Sequence, residues 1–327
     1  MKRILAIESS CDDTAVAVVA SSPAGKGHRV LVSLVASQEK LHAQFGGVVP
    51  EMASRQHLRA IYPLIDLALK RAKLTPAKVD AIAVTTHPGL LGSLLVGVNA
   101  AKTLGYLWSK PVIGVNHLLG HIYAGWIGNA RIVYPLISLV TSGGHSEIVL
   151  TRQPGEYKCI GGTRDDAAGE AFDKAARLLK LGYPGGPAIA LKAVAGRPGK
   201  VSLPRPMLDE DNFDFSFSGL KTAVVRVKGK PGDIAYEFQE AVVETLAKKL
   251  FATVERYKAK TVLIGGGVAA NPRLREEVKK RAKAVGVPVV IPDFKYCTDN
   301  AAMIGMAAFY IQNPKQDRWY NANVITD

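Results

Sequence analysis

The hydrophobic pattern at the beginning of the chain predicts a β-hairpin followed by a third strand. Residues 3–9 and 14–20 are apolar and rich in β-branched side chains, and a short polar turn at 10–13 separates them. Such a pattern is typical of two antiparallel strands. A further apolar segment at 30–36 predicts the third strand of the same sheet.

The pattern then changes from the period of a strand to that of a helix. Apolar residues recur at helical spacing from Val49 to Ala72, and Pro50 with Glu51 forms a favourable helix start. The elements predicted after this helix alternate in β-α-β order: a strand at 79–85, a helix at 92–108 and a strand at 112–115. This order indicates parallel strands with crossover helices.

The opening pattern occurs a second time from residue 135. Residues 135–141 and 145–150 are apolar strands separated by the tight turn Ser142 to Gly144. The elements predicted after them are a strand at 157–160, helices at 166–180 and 233–256, a strand at 261–265, a helix at 271–285, a strand at 287–291 and a final helix from 299.

Two similar openings in one chain indicate a duplicated α/β fold with a cleft between two lobes. We expect a first lobe at 1–116 and a second at 117–327. The Gly- and Pro-rich region at about 182–232 interrupts the repeat, and we expect it to be an inserted subdomain or a mobile loop region.

Composition indicates a globular protein of a reducing compartment. The 327 residues are 48% hydrophobic and 21% charged, which argues against disorder. Cys11, Cys159 and Cys297 are widely spaced and include no Cys-x-x-Cys pair, which argues against a disulfide framework. The apolar run at 4–7 is too short for a signal peptide, and no segment has the length of a membrane span. We therefore expect a cytoplasmic protein without a membrane partner.

The net charge of +14 is unevenly distributed. Between Lys248 and Lys283 the sequence has eleven Lys or Arg residues and three Glu residues. Two readings remain open: the solvated faces of two helices, or a surface that binds the phosphate backbone of a nucleic acid. A membrane surface is less favoured, because no amphipathic anchor with aromatic residues accompanies the charges.

Two histidines four residues apart, His117 and His121, form a candidate metal site. On a helix this spacing places both imidazoles on one face. An ordinary solvated or core pair has the same spacing, so the motif alone does not establish a site. Asp299 begins the predicted last helix and is either its N-cap or the carboxylate of a site with two histidines and one carboxylate.

Two glycine-rich turns are candidate nucleotide-binding elements. The turn at 140–144 lies between two strands, where absent side chains allow backbone N–H groups to approach a phosphate, although a simple hairpin turn also needs such glycines. The segment from Gly265 to Asn271 follows a strand and precedes a helix. Asn271 is a candidate helix cap or ligand of a ribose or base. Neither turn has the Walker A or dinucleotide fingerprint.

A third polar cluster has four carboxylates within nine residues. Asp166, Glu170 and Asp173 follow Asp165 at a spacing that places them on one helix face. An acidic helix N-terminus accounts for the first members of this set but not for Asp173. Cations or ligand hydroxyl groups are therefore candidate partners of this face.

Taken together, the motifs resemble the TsaD family, which makes the threonylcarbamoyladenosine of tRNA and was formerly described as a glycoprotease. The motifs that carry the resemblance are Glu8 to Thr14, His117 to His121, Ser142 to His145, Asp165 to Asp173, Tyr183 to Pro187, Phe215 to Thr222, Gly265 to Asn271 and Cys297 to Asn300. The Cys-Asp-Asp-Thr opening is similar to the bacterial and organellar branch. Leu118-Leu119 and Ser146-Glu147 depart from the commoner Met-Glu and Thr-Gln of the family.

The resemblance implies an actin-like ATPase (ASKHA) fold of two ribonuclease-H-like lobes. It also implies one divalent metal ion, Fe²⁺ or Zn²⁺, held by His117, His121 and Asp299, and an adenylate or adenine nucleotide in the cleft. The implied contacts of this adenylate are Val140, Thr141, Ser142, Gly143, Gly144, Asp173, Gly186 and Asn271.

The implied reaction transfers the L-threonylcarbamoyl group from threonylcarbamoyl-AMP to N6 of the adenosine 3′ of the anticodon, in tRNAs that read ANN codons. Glu8, Asp12 and the substrate phosphate are the candidate proton acceptors. The implied partners are tRNA, a TsaB-like paralogue and a TsaE-like ATPase.

Two other functions remain as alternatives. A metallopeptidase of the zincin type needs a glutamate next to the first histidine, where this chain has Leu118. The other alternative is a non-catalytic nucleotide-binding scaffold, or an ATPase, of the same superfold.

Overall fold

The computed structural model describes residues 1–22, 27–128, 132–311, 318 and 321–325. Contacts divide the chain into two compact units, Met1–Ala130 with Asp299–Asp327, and Arg131–Thr298. The strands are β1 (Arg3–Glu8), β2 (Thr14–Ser21), β3 (His28–Ala36), β4 (Ala81–His87), β5 (Val112–Asn116), β6 (Leu136–Thr141), β7 (Ser146–Gln153), β8 (Glu156–Gly162), β9 (Thr261–Gly265) and β10 (Val289–Val290). The helices are α1 (Glu39–Ala43), α2 (Pro50–Ala72), α3 (Leu91–Trp108), α4 (His117–Tyr123), α5 (Ala168–Leu178), α6 (Gly185–Ala193), α7 (Ser218–Arg226), α8 (Pro231–Tyr257), α9 (Pro272–Val285) and α10 (Ala301–Ala308).

The first unit has a five-stranded sheet of order β3-β2-β1-β4-β5. The predicted hairpin is present: β1 pairs antiparallel with β2, from Arg3 opposite Ala20 to Glu8 opposite Ala15. On its other side β1 pairs parallel with β4. β1 and β4 are buried almost throughout, which explains their continuous apolar runs. The edge strand β3 is half-exposed and alternates in burial.

The helices of the first unit begin and end where the sequence supplies the signals. Pro50 occupies the first turn of α2, and Lys73 ends the helix in the left-handed conformation. The final helix, α10, is buried along its whole length and packs against β1, β2 and α4. Because every face of α10 is covered, its apolar sequence has no polar stripe.

The second unit has the matching sheet, of order β10-β9-β6-β7-β8. β6 pairs antiparallel with β7 and parallel with β9, so it has the place that β1 has in the first unit. The predicted duplication is therefore present in the strand order of both sheets. The predicted strand at 287–291 is shorter than expected and includes only Val289 and Val290.

Two boundaries differ from those expected from the sequence. The division falls after residue 130 rather than after 116, and the segment from Asp299 belongs to the first unit. The physical reason is that α4 and α10 pack together and against the first sheet. The pattern of strands along the chain cannot show this return of the C-terminal segment.

The Gly- and Pro-rich region at 182–232 packs against the core of the second unit. It contains α6 and α7, and its side chains Leu203, Phe215 and Phe217 are buried in the core of the second unit. Prolines and glycines therefore mark turns between short packed elements in this region. Among the described residues, no helix is both long enough and apolar enough to span a membrane.

Candidate metal centre and glycine turns

The short helix α4 is positioned by a cap at its start and a glycine in its middle. The Asn116 side chain accepts a hydrogen bond from the N–H of Leu119 at 3.1 Å, which satisfies one of the free donors of the first turn. A Cβ on Gly120 would lie only 2.7 Å from Cδ1 of Ile304 in α10. Glycine at this position therefore allows α4 and α10 to pack closely.

The start of α10 determines the role of Asp299. Asn300, and not Asp299, is the N-cap of α10, because its side chain accepts a hydrogen bond from the N–H of Met303 at 3.0 Å. Of the two roles considered for Asp299, the N-cap is therefore wrong. Its carboxylate is directed toward α4, where Oδ1 lies 3.4 Å from Nε2 of His117 and 3.3 Å from Nε2 of His121.

His117, His121 and Asp299 form a compact group whose ligand atoms all lie within 4.8 Å of one another. Both histidines are buried. Two ligands bound at about 2.1 Å to a tetrahedral ion lie about 3.4 Å apart, which matches the two Nε2–Oδ1 distances. Two imidazoles and one carboxylate also leave open positions for a substrate. The donor set therefore fits a divalent metal ion.

The ring nitrogens of His121 provide the strongest indication that this group binds a ligand. Both Nδ1 and Nε2 are buried, and neither makes a hydrogen bond within the described part of the chain. Buried polar atoms are normally paired, because an unpaired one costs about 1–3 kcal/mol. Burial also lowers the pKa of His121, although Asp299 opposes this effect. The neutral imidazole that results is the form that binds metals.

Glu8, at the end of β1, lies behind His117. Its Oε2 is 3.2 Å from Nδ1 of His117, and Ser10 Oγ is 3.1 Å from the same nitrogen. Glu8 also accepts hydrogen bonds from Thr85 Oγ1 at 2.5 Å and from the N–H of Ser10 at 2.6 Å. A carboxylate on the second nitrogen of a metal-ligating histidine fixes the tautomer and the orientation of the ring.

The ionisation of Glu8 and His117 follows from this arrangement. Burial disfavours the charged form of Glu8, but attraction by His117 outweighs it, so the pKa of Glu8 lies below its usual value. Burial likewise opposes protonation of His117, but Asp299 and Glu8 raise the pKa of this imidazole well above the usual value. Asp299 is half-buried, which by itself would raise the pKa of its carboxyl group, but the two histidines lower that pKa.

The two residues predicted as catalytic therefore differ in environment. Glu8 is fully buried and its oxygens are engaged by Ser10, Thr85 and His117. Asp12 is half-buried in the turn between β1 and β2. The sequence did not reveal the parts played by Ser10, Thr85 and Gly120. Only the polar turn after β1 gave a signal for one of them, Ser10.

The two glycine turns of the second unit lie side by side at the carboxyl ends of adjacent strands, β6 and β9. After β6, the N–H of Ser142 donates to the carbonyl oxygen of His145 at 2.8 Å. After β9, Gly266 has a φ of +86°, and a Cβ on it would lie 2.2 Å from the carbonyl oxygen of Thr141. Glycine at 266 is thus required by both its conformation and the close approach of the two turns.

Other glycines of this region face open space. Within the described residues, no atom lies within 4 Å of the position that a Cβ would take on Gly143, Gly144, Gly186 or Gly267. Gly143, Gly144 and Gly186 are three of the residues predicted to contact an adenylate. Such bare backbone can be approached closely by a ligand, in particular by a phosphate.

The remaining predicted contacts are occupied within the protein. Asp173 Oδ1 accepts a hydrogen bond from the N–H of Gly185 at 2.7 Å. The side-chain oxygen of Asn271 accepts hydrogen bonds from the N–H groups of Arg273 and Leu274 at 2.9 and 3.1 Å. Its side-chain NH₂ group donates to Oε1 of Gln239 at 3.0 Å. Val140 and Thr141 are fully buried.

The acidic helix is also explained by partners within the chain. Asp165 accepts hydrogen bonds from Ser216, Phe217 and Ser218, which fasten the start of α7. Asp166 pairs with Lys174 and Lys221, and Lys174 pairs with Glu170 as well. The helix α5 begins at Ala168, so Asp165 and Asp166 lie before it rather than on its face. These carboxylates therefore balance lysines or anchor a loop.

Comparison with known proteins identifies the family. The family model TsaD, described as tRNA N6-adenosine threonylcarbamoyltransferase, matches residues 29–306. The tRNA N6-adenosine threonylcarbamoyltransferase of Thermomicrobium roseum is similar at 51% identity, with 94% of this chain and 91% of that protein covered.

Solved structures of low sequence identity show the fold. Full-length HypF in its phosphate- and nucleotide-bound form is 13% identical, with a TM-score of 0.63 and 95% of this chain and 55% of that chain covered. The activator of 2-hydroxyisocaproyl-CoA dehydratase from Clostridium difficile, with bound ADPNP, is 13% identical, with a TM-score of 0.54 and 94% of both chains covered. These likenesses confirm the predicted actin-like ATPase (ASKHA) fold. With a family model over most of its length and a relative half identical to it, the chain belongs to the TsaD family of tRNA N6-adenosine threonylcarbamoyltransferases.

Proposed function

We propose that this acyltransferase moves the L-threonylcarbamoyl group from threonylcarbamoyl-AMP to N6 of the adenosine 3′ of the anticodon, in tRNAs that read ANN codons. The observation that carries this proposal is the group of His117, His121 and Asp299, in which both histidines are buried and both ring nitrogens of His121 lack a hydrogen-bond partner among the described residues. Acyl transfer to a weakly nucleophilic amine needs a group that stabilises negative charge on the acyl oxygen.

We assign His117, His121 and Asp299 as the ligands of one divalent metal ion, Fe²⁺ or Zn²⁺. When bound, such an ion supplies Lewis acidity for a carbonyl oxygen. The protein supplies the geometry: Glu8 and Ser10 fix the His117 ring through Nδ1, and Gly120 allows α4 to approach α10. His117 and His121 are buried, whereas Asp299 is partly exposed.

The adenylate half of the donor suits the glycine turns of the second unit. Gly143, Gly144, Gly186 and Gly267 leave room for a ligand at bare backbone. The HypF structure is described as phosphate- and nucleotide-bound and the dehydratase activator as bound to ADPNP, so proteins of this fold bind nucleotides. We propose that backbone N–H groups of these turns bind the phosphate, and that Asp173 and Asn271 act through the segments they hold.

Removal of the proton from the N6 amine needs an acceptor other than Glu8 in this arrangement. The oxygens of Glu8 already accept hydrogen bonds from Thr85 and Ser10 and face His117. We therefore propose that Glu8 is a positioning residue, and that Asp12 or the substrate phosphate accepts the proton. An Asp12→Asn variant with unchanged single-turnover rate would leave the phosphate as the acceptor.

Exposed apolar side chains of the first unit suit a paralogous partner. Leu58 and Tyr62 of α2 and Leu95 and Tyr106 of α3 are exposed, with Tyr106 at 65%. Large apolar patches on a protein surface mark interaction sites. We propose that a TsaB-like paralogue binds this surface and that a TsaE-like ATPase acts on the complex. A tRNA substrate also agrees with the predicted cytoplasmic location.

A single-turnover assay tests the proposed function. Labelled threonylcarbamoyl-AMP and an unmodified tRNA are incubated with the chain alone, and then with TsaB-like and TsaE-like partners. We expect label on the tRNA that a chelator removes and added metal restores. Normal binding of the donor without any transfer, under all combinations, would favour the scaffold function instead.

A further inference from the structure

The basic residues between Lys248 and Lys283 fall into two groups in the structure. One group is engaged inside the second unit: Lys249 donates to the carbonyl oxygens of Glu210 and Asn212, and Arg273 pairs with Glu240. Lys248, Arg275 and Arg281 also have partners, namely Asp209, the carbonyl oxygen of Ala269 and Glu277. Arg256 lies over the ring of Phe213. About half of the run is therefore structural, and the remainder needs a different explanation.

The remaining charges lie at one end of the second sheet. We call this set the basic edge, and its members are Lys258, Lys260, Lys279, Lys280 and Lys283 of the run, together with Arg152 from the end of β7. All six are exposed, and their side chains have no ion pair or hydrogen bond within the described residues. Two exposed carboxylates, Glu156 and Glu255, lie at the same end.

Strand register places these residues together. Leu136 of β6 is opposite both Thr151 of β7 and Thr261 of β9. Arg152 follows Thr151 and Lys260 precedes Thr261, so both lie at the same end of the sheet. The N–H of Lys260 donates to the carbonyl oxygen of Pro135 at 2.8 Å, which fixes that level. Lys258 ends α8 two residues before Lys260.

The helix α9 brings the other three lysines to this end. It ends at Val285, shortly before β10 begins at Val289, and β10 runs parallel to β9. Lys283 is in the last turn of α9, and Lys279 precedes it by one turn. Lysines at this i,i+4 spacing repel each other by about 0.2–0.5 kcal/mol, an energy that a bound anion would offset.

The basic edge is distant from the glycine turns. Those turns follow the carboxyl ends of β6 and β9, whereas the basic edge lies at the amino ends of the same strands. Five residues of β9 separate the two by about 16 Å. A ligand of the basic edge is therefore separate from a nucleotide bound at the glycine turns.

We propose that the basic edge binds the sugar-phosphate backbone of tRNA at a position remote from the adenosine that is modified. The proposal rests on the tRNA substrate of the proposed function. Lysine-rich surfaces of this kind bind phosphates without reading sequence. Val133 and Val285 are exposed near this end, but among the described residues no exposed aromatic side chain accompanies them, which disfavours an anionic membrane surface as the partner.

The test compares two triple variants of the full chain in the reconstituted transfer reaction. K260Q/K279Q/K283Q removes three charges of the basic edge. Lys258 is left unchanged, because it ends α8 in the left-handed conformation, with a φ of +49°. The control, K200Q/K228Q/K230Q, removes three exposed charges near the start of α8, a helix of 27 residues that is about 40 Å long. Each is assayed with full-length tRNA and with the isolated anticodon stem-loop.

We expect the basic-edge variant to raise KM for full-length tRNA about tenfold or more, with kcat and the KM for the stem-loop unchanged. The slope of log KM against log salt concentration should decrease by about 2–3, since each lost phosphate contact lowers this slope by nearly one. The control should change neither quantity more than about twofold.

Three results would overturn the proposal. They are an unchanged KM for tRNA, an equal loss with the stem-loop, and an equal loss in the control. Cosedimentation of the unaltered chain with phosphatidylserine vesicles, abolished in the variant while the KM for tRNA stays unchanged, would assign the edge to a membrane instead. If the unaltered chain and its partners modify neither RNA, the proposed function fails, and this proposal fails with it.

Discussion

The metal centre of the first unit and the glycine turns of the second are built on corresponding sheets by opposite means. Around His117 and His121 the chain supplies buried, charged side chains and holds them with Glu8, Ser10 and Asn300. Around the turns after β6 and β9 it omits side chains, so that backbone is left bare. The first site is formed by ionisable side chains, and the second is formed by backbone at glycine positions.

This difference has consequences for mutation. In the metal centre, removal of one side chain leaves other buried charges without a partner, so function and local stability change together. In the glycine turns, addition of one methyl group either disturbs the backbone or fills the space for a ligand, according to the position. The two regions should therefore respond independently to mutation.

The largest effect is expected from His121→Ala. The variant loses a proposed metal ligand, so metal content should fall to near zero and the transfer rate should fall by about 10³-fold or more, as is usual for loss of a main catalytic element. Binding of AMP should be unchanged, because the glycine turns belong to the other unit. Metal analysis, single-turnover rates and calorimetric titration with AMP provide the three measurements.

The matched control for this prediction is His28→Gln, a histidine of the edge strand β3 whose ring packs on Phe309. It should retain metal and activity. Full transfer activity in His121→Ala, with metal absent, would remove the metal from the proposed function. Loss of AMP binding in the same variant would show that the two regions are not independent.

The second prediction concerns Gly266 and Gly267, which are neighbours with opposite environments. Gly266→Ala places a methyl group 2.2 Å from the carbonyl oxygen of Thr141 at a φ of +86°, which should reduce the free energy of unfolding by about 2–4 kcal/mol. Gly267→Ala meets no described atom within 4 Å. It should leave thermal stability unchanged and weaken AMP binding about tenfold.

Thermal denaturation and AMP titration of both variants distinguish these outcomes, and metal content should be normal in each. If Gly267→Ala binds AMP as tightly as the unaltered chain, the space beside Gly267 does not receive the nucleotide. If Gly266→Ala is as stable as the unaltered chain, the close approach of the two turns is not a constraint on the fold.

The sequence predicted the sheets better than it predicted the division of the chain. The continuous apolar runs of β1 and β2 are local, so their pairing could be expected from the turn at 10–13. The return of Asp299 and α10 to the first unit depends on packing of α10 against β1 and α4, which are distant in sequence. No local pattern near residue 130 indicates that boundary.

At the candidate sites, the sequence indicated the residue types but not their surroundings. The spacing of His117 and His121 placed both on one helix face, and the structure brings Asp299 to them. The hydrogen bond from Thr85 to Glu8 joins residues 77 positions apart, and no periodicity reveals it. Similarly, Asn271 was a candidate ligand by type, whereas its hydrogen bonds to Arg273, Leu274 and Gln239 became evident only in the fold.

A smaller effect is expected from Glu8→Gln, which retains the shape of the side chain but removes its charge. Loss of the carboxylate behind His117 should weaken metal affinity about 10- to 100-fold, as for other outer partners of ligating histidines. At saturating metal most of the transfer rate should return, because Glu8 does not itself accept the substrate proton in this proposal. Thr85→Val, which removes one hydrogen bond to Glu8, should also weaken metal affinity, but by less than Glu8→Gln does.

Metal titration and single-turnover rates at saturating metal measure the two parts of this prediction separately. A rate that stays low in Glu8→Gln when metal is fully bound would make Glu8 a catalytic residue rather than a positioning residue. That result would also show that buried charge in the first unit acts on the substrate directly.

The smallest effect is expected at Asn271, whose side chain makes three hydrogen bonds within the second unit. Asn271→Ala removes the cap of α9 and should lower the free energy of unfolding by about 0.5–2 kcal/mol. Asn271→Asp retains the capping oxygen, so its stability should be close to that of the unaltered chain. AMP affinity should fall in parallel with stability in the alanine variant and stay nearly normal in the aspartate variant.

Chemical denaturation and AMP titration of both variants separate a cap from a ligand. If Asn271→Asp is fully stable yet binds AMP at least tenfold more weakly, the amide nitrogen contacts the nucleotide and its hydrogen bond to Gln239 is exchanged on binding. The second unit would then use a side chain as well as bare backbone for its ligand. It would differ from the metal centre only in how many side chains contact the ligand.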